Sequence, residues 1–171
     1  MVDIQILPAG EKYRALMVGL MNLYLSDFSI YTGEDCNEKG GFEDGNLFRY
    51  WIEPARYPFL ILVDNQPAGF ILVRDQQAPG EKQVIHHIAE FFVMRKYRRM
   101  KVGQRAAWTV FDRFPGQWFV AEMEENLPAQ VFWRTIIAEY TSGNYQDTRV
   151  EEWEGPVQIF QSRAEQGDCG K

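Results

Sequence analysis

The sequence has few of the residues that build metal sites and disulfides. Its 171 residues include two cysteines, Cys36 and Cys169, and two histidines, His86 and His87. The cysteines are far apart in polar surroundings, so they indicate a reducing compartment and leave a disulfide open. Adjacent histidines face opposite sides of a strand and therefore do not make a metal site. We expect no bound metal.

Long apolar runs are also missing. No run approaches the roughly 20 residues of a membrane-spanning helix, and the first residues, "MVDIQILPAGEKYR", lack the basic-then-apolar order of a signal peptide. No Ser/Gly/Pro linker divides the chain. We expect a soluble, cytoplasmic protein without a membrane partner, with a single domain over residues 1–163 and a short polar tail over residues 164–171.

The pattern of apolar and polar residues predicts alternating strands and helices. In chain order these are a strand at Val2–Leu7, a helix from about Gly10 to Leu25, a short helix at Leu47–Ile52, a hairpin of Phe59–Val63 and Gly69–Val73, a strand at Gln83–Met94, a helix from Val102 to Phe114, a strand "QWFVAEM", a helix with Pro128 in its first turn, and two strands, "TSGNYQD" and "PVQIFQS". The order β-α-α-β-β-β-α-β-α-β-β predicts an α/β (α+β) fold with a mixed central sheet flanked by helices.

A basic cluster stands out because the chain as a whole is acidic, with a net charge of -6. Six cations lie around Gly103 in "VMRKYRRMKVGQRAAW": Arg95, Lys96, Arg98, Arg99, Lys101 and Arg105. Such a run is usually a solvated surface. Cations at a helix N-terminus, however, interact unfavourably with the helix dipole, at a cost of about 0.3–1 kcal/mol each. A bound polyanion would turn this cost into a favourable interaction. Unpaired N–H groups at a strand-to-helix turn can bind phosphate. We therefore predict a phosphate-binding turn.

Two segments resemble motifs of the GNAT N-acetyltransferase superfamily. "FFVMRKYRRMKVG" resembles its cofactor-binding motif, a Gln or Arg, two residues, Gly, one residue, then Gly or Ala. The match is at Arg98 and Gly103, and Lys101 stands where the family usually has the first Gly. "NLPAQVFW" resembles the downstream motif in which an Asn precedes a helix with an aromatic pair. The similarity of element order extends the resemblance over essentially the whole chain.

The resemblance implies acetyl-CoA as co-substrate, no metal, and a set of residues that bind acetyl-CoA. These are Phe92, Val93, Arg98, Arg99, Met100, Lys101, Val102, Gly103, Gln104, Asn126 and Trp133. Lys101 implies either a wider loop or an ammonium that touches a phosphate. Asn126 is read as a helix cap, as a contact to the pantetheine arm, or as both.

Trp133 stands where the resembled family often has its general acid. The family often has a tyrosine there, as general acid for the departing thiolate, and an indole N–H cannot supply a proton. The role is either vacant or taken by water or by another tyrosine, such as Tyr140 or Tyr145.

Glu90 is the one charged residue in the apolar run "IAEFFV". A buried charge is costly without a reason, and burial would raise the pKa of this carboxyl toward that of a general base. In several members of the resembled family a strand glutamate near this place accepts the amine proton, often through water. The alternative is a structural glutamate paired with an arginine.

These expectations combine into an N-acetyltransferase that transfers acetyl from acetyl-CoA to a primary amine of a small molecule or peptide. Transfer is direct, because no cysteine lies near the motif to form an acyl-enzyme. A backbone N–H near Phe92 or Val93 polarises the thioester carbonyl. Two acidic loops, which border the acceptor cleft in the resembled fold, favour a cationic acceptor, although they could merely keep the protein soluble. The first contains Asp27, Glu34, Asp35, Glu38, Glu43 and Asp44, and the second contains Asp147, Glu151, Glu152 and Glu154.

Two other functions are left open by the residues. One is a catalytically silent domain that binds coenzyme A as a sensor or docking module. The other is a nucleic-acid-binding module, which the acidic remainder of the chain disfavours. A homodimer is also left open.

Overall fold

The computed structural model describes residues 2–77 and 82–162. Their elements, in chain order, are β1 (Ile4–Pro8), a 3₁₀ turn (Glu11–Tyr13), α1 (Arg14–Thr32), α2 (Arg49–Ile52), β2 (Arg56–Val63), β3 (Gln66–Gln77), β4 (Val84–Val93), a 3₁₀ turn (Arg95–Tyr97), α3 (Val102–Arg113), β5 (Gln117–Ala121), α4 (Leu127–Thr141), β6 (Tyr145–Val150) and β7 (Trp153–Gln161). The predicted order and the mixed α/β fold are confirmed. The predicted tail, 164–171, lies outside the described residues.

The strands form one mixed sheet in the order β1-β2-β3-β4-β5-β7-β6. The β1–β2, β2–β3, β5–β7 and β6–β7 ladders are antiparallel. The β4–β5 ladder is parallel and runs from Ile85 with Gln117 to His87 with Phe119. Since β4 continues to Val93, its residues 88–93 lie beyond that ladder.

The chain divides into two compact units, and β4 and α3 contribute to both. Unit 1 comprises Met1–Arg74 with Ala89–Ala106, and unit 2 comprises Asp75–Ile88 with Ala107–Lys171. Such a division does not by itself define separately folding domains, so a single domain over residues 1–163 stays a prediction.

Unit 1 has an apolar core between the sheet and α1. Leu60 of β2, Phe70 of β3 and Phe92 of β4 are buried in it with Met17 and Leu20 of α1. Full burial of side chains of this size contributes about 1.5–3 kcal/mol each. This core fixes α1 and the C-terminal half of β4 relative to each other.

Helix α1 extends seven residues beyond the predicted end at Leu25, as far as Thr32. The segment "SDFSIYT" looks polar, but Phe28 stacks on Tyr24 at 5.1 Å and contacts the Tyr31 ring at 5.7 Å. These aromatic pairs at helical spacing stabilise the additional turns. Gly33 ends the helix in the left-handed conformation, with φ of 71°.

Gly69 in β3 is required by the close approach of the β4 backbone. A Cβ added at Gly69 would lie 2.0 Å from the carbonyl oxygen of Phe92. Only glycine fits, because the clash is with backbone that cannot rotate away. The two strands are therefore tightly fixed at Phe92 and Val93, where the predicted carbonyl-binding segment lies.

Unit 2 is built around Phe111 of α3. Its ring lies 4.9 Å from those of Trp118 in β5 and Phe160 in β7, and 5.3 Å from Tyr140 in α4. Edge-to-face pairs of this kind add about 0.5–1.5 kcal/mol each beyond the area they bury. The cluster fixes α4, which carries Trp133.

Candidate active site

The backbone at the end of β4 has one edge paired with β3 and the other turned away from it. The Met94 N–H donates to the Ala68 carbonyl at 2.8 Å, and the Phe92 carbonyl approaches Gly69. Backbone groups of successive strand residues point to opposite edges. The N–H of Val93, rather than that of Phe92, is therefore directed away from β3.

Arg98 is folded back onto β4 and α1. Its Nε donates to the Val93 carbonyl at 2.8 Å, and its Nη2 donates to Asp27 Oδ2 at 2.7 Å. Arg95 pairs with the other oxygen of Asp27 at 2.8 Å. Burial alone would raise the pKa of Asp27, but the bonds from the two arginines hold it below its ordinary value. Asp27 thus ties the start of the basic segment to α1.

The remaining cations of the cluster are exposed on the turn and the first part of α3. They are Lys96, Arg99, Lys101 and Arg105. Met100 between them is 43% exposed. These side chains can reach a ligand from solvent without displacing the core.

Two residues of this turn have left-handed backbone conformations that favour glycine. Arg99 has φ of 64° and Lys101 has φ of 60°. Lys101 stands where the resembled pattern has glycine. Its positive φ shows that the backbone nevertheless keeps the conformation that glycine would adopt there. This departure from the pattern changes the side chain and leaves the backbone path compatible with close approach of a ligand.

Lys101→Gly is expected to raise the free energy of unfolding by about 0.5–1 kcal/mol. Relief of left-handed strain, about 1–2 kcal/mol, exceeds the roughly 0.5–1 kcal/mol of chain entropy that glycine costs. Urea unfolding measures the change. Lys101→Ala is the matched control, since it removes the same ammonium but keeps the strained φ. Equal stability of the two variants would contradict the strain at this position.

The turn leads into the N-terminus of α3. The first intrahelical bond is from the Arg105 N–H to the Lys101 carbonyl, at 3.0 Å. The N–H groups of Val102 and Gly103 precede that bond, and first-turn N–H groups have no acceptor within their helix. Gly103 adds no side chain over them. This geometry fits a phosphate, which accepts N–H bonds and interacts favourably with the helix dipole.

Glu90 lies on β4, on the same face as Phe92 and toward α1. Its Oε2 accepts a hydrogen bond from the Tyr24 hydroxyl at 2.5 Å. Burial raises the pKa of Glu90 above its ordinary value, while the Tyr24 bond and the charge of Arg74 partly offset this. The hydrogen-bond partner of Glu90 is therefore a tyrosine, while Arg74 acts on it through its charge. A carboxylate whose pKa is raised is a stronger base and so a better proton acceptor.

The other predicted site residues, Asn126 and Trp133, belong to unit 2. Asn126 caps α4 by accepting a bond from the Ala129 N–H at 3.2 Å. Its side-chain nitrogen has no hydrogen bond to any residue in the described part of the chain and can still donate. Trp133 is 5% exposed, with its ring 6.4 Å from that of Phe111. Tyr140, one of the alternative proton donors, already donates to Asp112 at 2.7 Å.

One buried carboxyl, Glu122, was missed by sequence reasoning. It is 4% exposed, and neither of its oxygens has a hydrogen bond of normal geometry within residues 2–77 and 82–162. Burial raises the pKa of Glu122 to about 8, although Gln158 and Arg134 lower it in part. The available signal was its place in the alternate series after the buried Trp118 and Val120, which continues the buried face of β5 one residue past the end of the strand.

Two further features are absent from the described residues. Among them, no group of three or more His, Cys, Asp or Glu side chains is arranged to hold a metal ion. Likewise, none of the helices described is both long and apolar enough to cross a membrane.

The fold defines a mixed α/β protein in which the central strand β4 leads through a basic turn into α3. The chain belongs to the acetyltransferase (GNAT) family, whose model matches residues 17–136. Membership of this family indicates acyl transfer with coenzyme A binding. A comparison with curated proteins finds no match.

Solved structures of low sequence identity share the fold. An N-acetyltransferase, PaiA, from Thermoplasma acidophilum in complex with coenzyme A has a TM-score of 0.63 and 10% identity, over 93% of this chain and 99% of that one. Arabidopsis thaliana NAA60 with acetyl-CoA has a TM-score of 0.61 and 9% identity, over 93% and 98%. An aminoglycoside acetyltransferase from an uncultured soil metagenomic sample, with sisomicin, has a TM-score of 0.58 and 15% identity, over 79% and 86%.

Proposed function

We propose that the protein is an N-acetyltransferase that transfers acetyl from acetyl-CoA directly to a primary amine. The observation that carries the proposal is the turn from β4 into α3, with left-handed residues at 99 and 101 and exposed cations around Gly103. Family membership supplies the reaction class. A cytoplasmic location and a small-molecule or peptide acceptor are part of the proposal.

In this proposal the turn binds the phosphates of acetyl-CoA. The N–H groups of Val102 and Gly103 donate to the pyrophosphate, Gln104 lies next to them, and the loop of Arg99, Met100 and Lys101 surrounds it. Arg98 also helps to hold the loop in the binding conformation, because its guanidinium donates to Asp27 and to the Val93 carbonyl. Its remaining N–H groups are proposed to contact acetyl-CoA.

The chemical step needs a polarised carbonyl and a deprotonated amine. The Val93 N–H, directed away from β3, donates to the thioester oxygen and stabilises the charge that develops there. The amine lone pair forms the N–C bond, the C–S bond breaks, and the thiolate leaves. Glu90, directly or through water, receives the amine proton.

Protonation of the departing thiolate is assigned to water or to Tyr145. Trp133 has no acidic proton to give, and Tyr140 is committed to Asp112. The shortage of a protein donor is what favours the second candidate, a silent domain that binds coenzyme A. Asn126 would contact the pantetheine arm through its side-chain nitrogen in either case.

Calorimetric titration with acetyl-CoA, together with thiol release over a panel of amines, tests these candidates. A transferase binds acetyl-CoA and releases thiol only with an amine present. A silent domain binds acetyl-CoA without amine-dependent release. A nucleic-acid module instead binds DNA or RNA with a steep salt dependence.

The acceptor in this proposal is cationic, because an acidic segment follows α1. The acidic segment comprises Glu34, Asp35, Glu38, Glu43 and Asp44. All of these except the partly buried Asp44 are exposed. An aminoglycoside bound to a fold neighbour is compatible with an acceptor of this class. The segment is held in place by the Asn22 side chain, which accepts a bond from the Phe42 N–H at 2.8 Å.

We expect cationic amines to have the lowest Michaelis constants, and added salt to raise them, because salt screens exposed charges. Neutralising Glu34, Asp35 and Glu38 together to amides is expected to raise the Michaelis constant severalfold. The control is the salt dependence of the Michaelis constant in this same variant, which should be weaker than in the unmodified protein because the charges that salt screens have been removed. A cationic acceptor would be contradicted if neutral amines turned over fastest and if the Michaelis constant did not change with added salt.

A further inference from the structure

The hydrogen bond between Tyr24 and Glu90 joins two residues that are 66 positions apart in the chain. Its length of 2.5 Å is in the range of a hydroxyl that donates to a carboxylate. Both side chains are partly buried, so solvent does not readily replace either partner. The bond fixes one carboxylate oxygen of Glu90.

Three aromatic rings hold the ring of Tyr24. Phe28 of α1 stacks on it at 5.1 Å, Phe70 of β3 meets it edge-on at 5.7 Å, and Phe92 of β4 lies at 5.9 Å. Contacts from α1, β3 and β4 leave the ring little freedom, and a tyrosine has only two rotatable side-chain bonds. The hydroxyl is therefore held at a fixed point on the β4 face.

We propose that Tyr24 is the positioning residue for Glu90, whose carboxylate it orients so that the other oxygen is presented to the amine or to the water that relays its proton. The inference rests on the proposed function of Glu90 as proton acceptor. Tyr24 keeps its own proton throughout. The transferred proton comes from the amine as the N–C bond forms and the C–S bond breaks.

The charged and titratable groups around Glu90 agree with this division of roles. Tyr24 of α1, Tyr50 of α2 and Arg74 of β3 face it. Burial, with the charge and hydrogen bond of Glu90, raises the pKa of Tyr24, so its hydroxyl remains a donor at working pH. Burial, although opposed by Arg56, also raises the pKa of Tyr50. Loss of the Tyr24 hydroxyl therefore removes a group that favours the carboxylate.

Tyr24→Phe is the direct test, because it removes the hydroxyl and keeps the packed ring. We expect the pKa of Glu90 to rise by about one pH unit, the equivalent of one hydrogen bond to a charged group. Carbon NMR of glutamate-labelled protein measures this titration, with Glu90→Gln assigning the signal. The acidic limb of the rate–pH profile is expected to move upward by the same amount, with unchanged acetyl-CoA affinity.

Tyr31→Phe is the matched control, since it removes one hydroxyl from the same helix, and it should leave both curves unchanged. An unshifted Glu90 titration in Tyr24→Phe would overturn the positioning role, whatever the activity. A shifted titration with an unmoved acidic limb would instead overturn the role of Glu90 as proton acceptor, and with it the catalytic significance of Tyr24. The two failures are thus distinguishable.

Discussion

Replacing Gly103 with glutamate is expected to abolish acetyl-CoA binding and leave the protein folded. The new carboxylate lies at the second residue of α3, among the N–H groups proposed for the pyrophosphate. There it repels the phosphates and occupies their place. A carboxylate in the first turn of a helix is otherwise favourable by about 0.3–1 kcal/mol, so the fold itself is not expected to suffer.

Calorimetry with acetyl-CoA measures this effect, and circular dichroism verifies the fold. We expect micromolar binding by the unmodified protein and none by the variant. Gly19→Glu provides a matched control, because it adds the same charge to a helix at an exposed glycine with nothing within 4 Å of the added Cβ. Retained affinity in a folded Gly103→Glu protein would refute the binding site.

Glu90→Gln is expected to lower turnover by about 10²–10⁴-fold, the usual contribution of a general base. Glutamine keeps the shape and can still accept the Tyr24 hydrogen bond, but it cannot take a proton. Acetyl-CoA affinity should change little. The acidic limb of the rate–pH profile, which reports protonation of Glu90, should disappear.

The stability of the same variant separates a catalytic from a structural glutamate. Because burial raises the folded-state pKa of Glu90 above its unfolded value, its contribution to stability is present at low pH. It is lost as the pH rises from the unfolded pKa through the folded one. Glutamine does not ionise, so the variant should melt at an equal or higher temperature than the unmodified protein on the alkaline side.

Glu122→Gln is the matched control for Glu90→Gln. It is the same substitution at another buried carboxyl with a raised pKa, and it should leave turnover per folded molecule unchanged. Near-normal turnover of Glu90→Gln with an intact acidic limb would remove Glu90 from the mechanism and leave water as the proton acceptor. A lower melting temperature with full activity would mark Glu90 as structural.

The order of the elements could be predicted because each depends on local periodicity. Alternation in β1, the apolar runs of β2 and β3, and the helical spacing around Val102 and Val110 are properties of short windows of sequence. The end of α1 could not be placed in the same way. It depends on ring contacts of Phe28 that add to a segment polar enough to look like a loop.

The candidate site was only partly predictable for a similar reason. Glu90, Lys101 and Gly103 could be singled out because they stand in a recognisable run of residues. Tyr24 could not be assigned to Glu90, nor Asp27 to Arg98, since both pairs join distant parts of the chain. Asp27 was accordingly grouped with acidic loop residues, whereas it lies on α1 and ties two arginines to that helix.

Thiol release from acetyl-CoA, followed with and without each amine of a panel, is the measurement that tests the central proposal most directly. The proposed function predicts release that depends on a cationic amine in the unmodified protein and is absent in Gly103→Glu. Binding of acetyl-CoA without release by any amine would contradict acetyl transfer and identify a silent domain that binds coenzyme A.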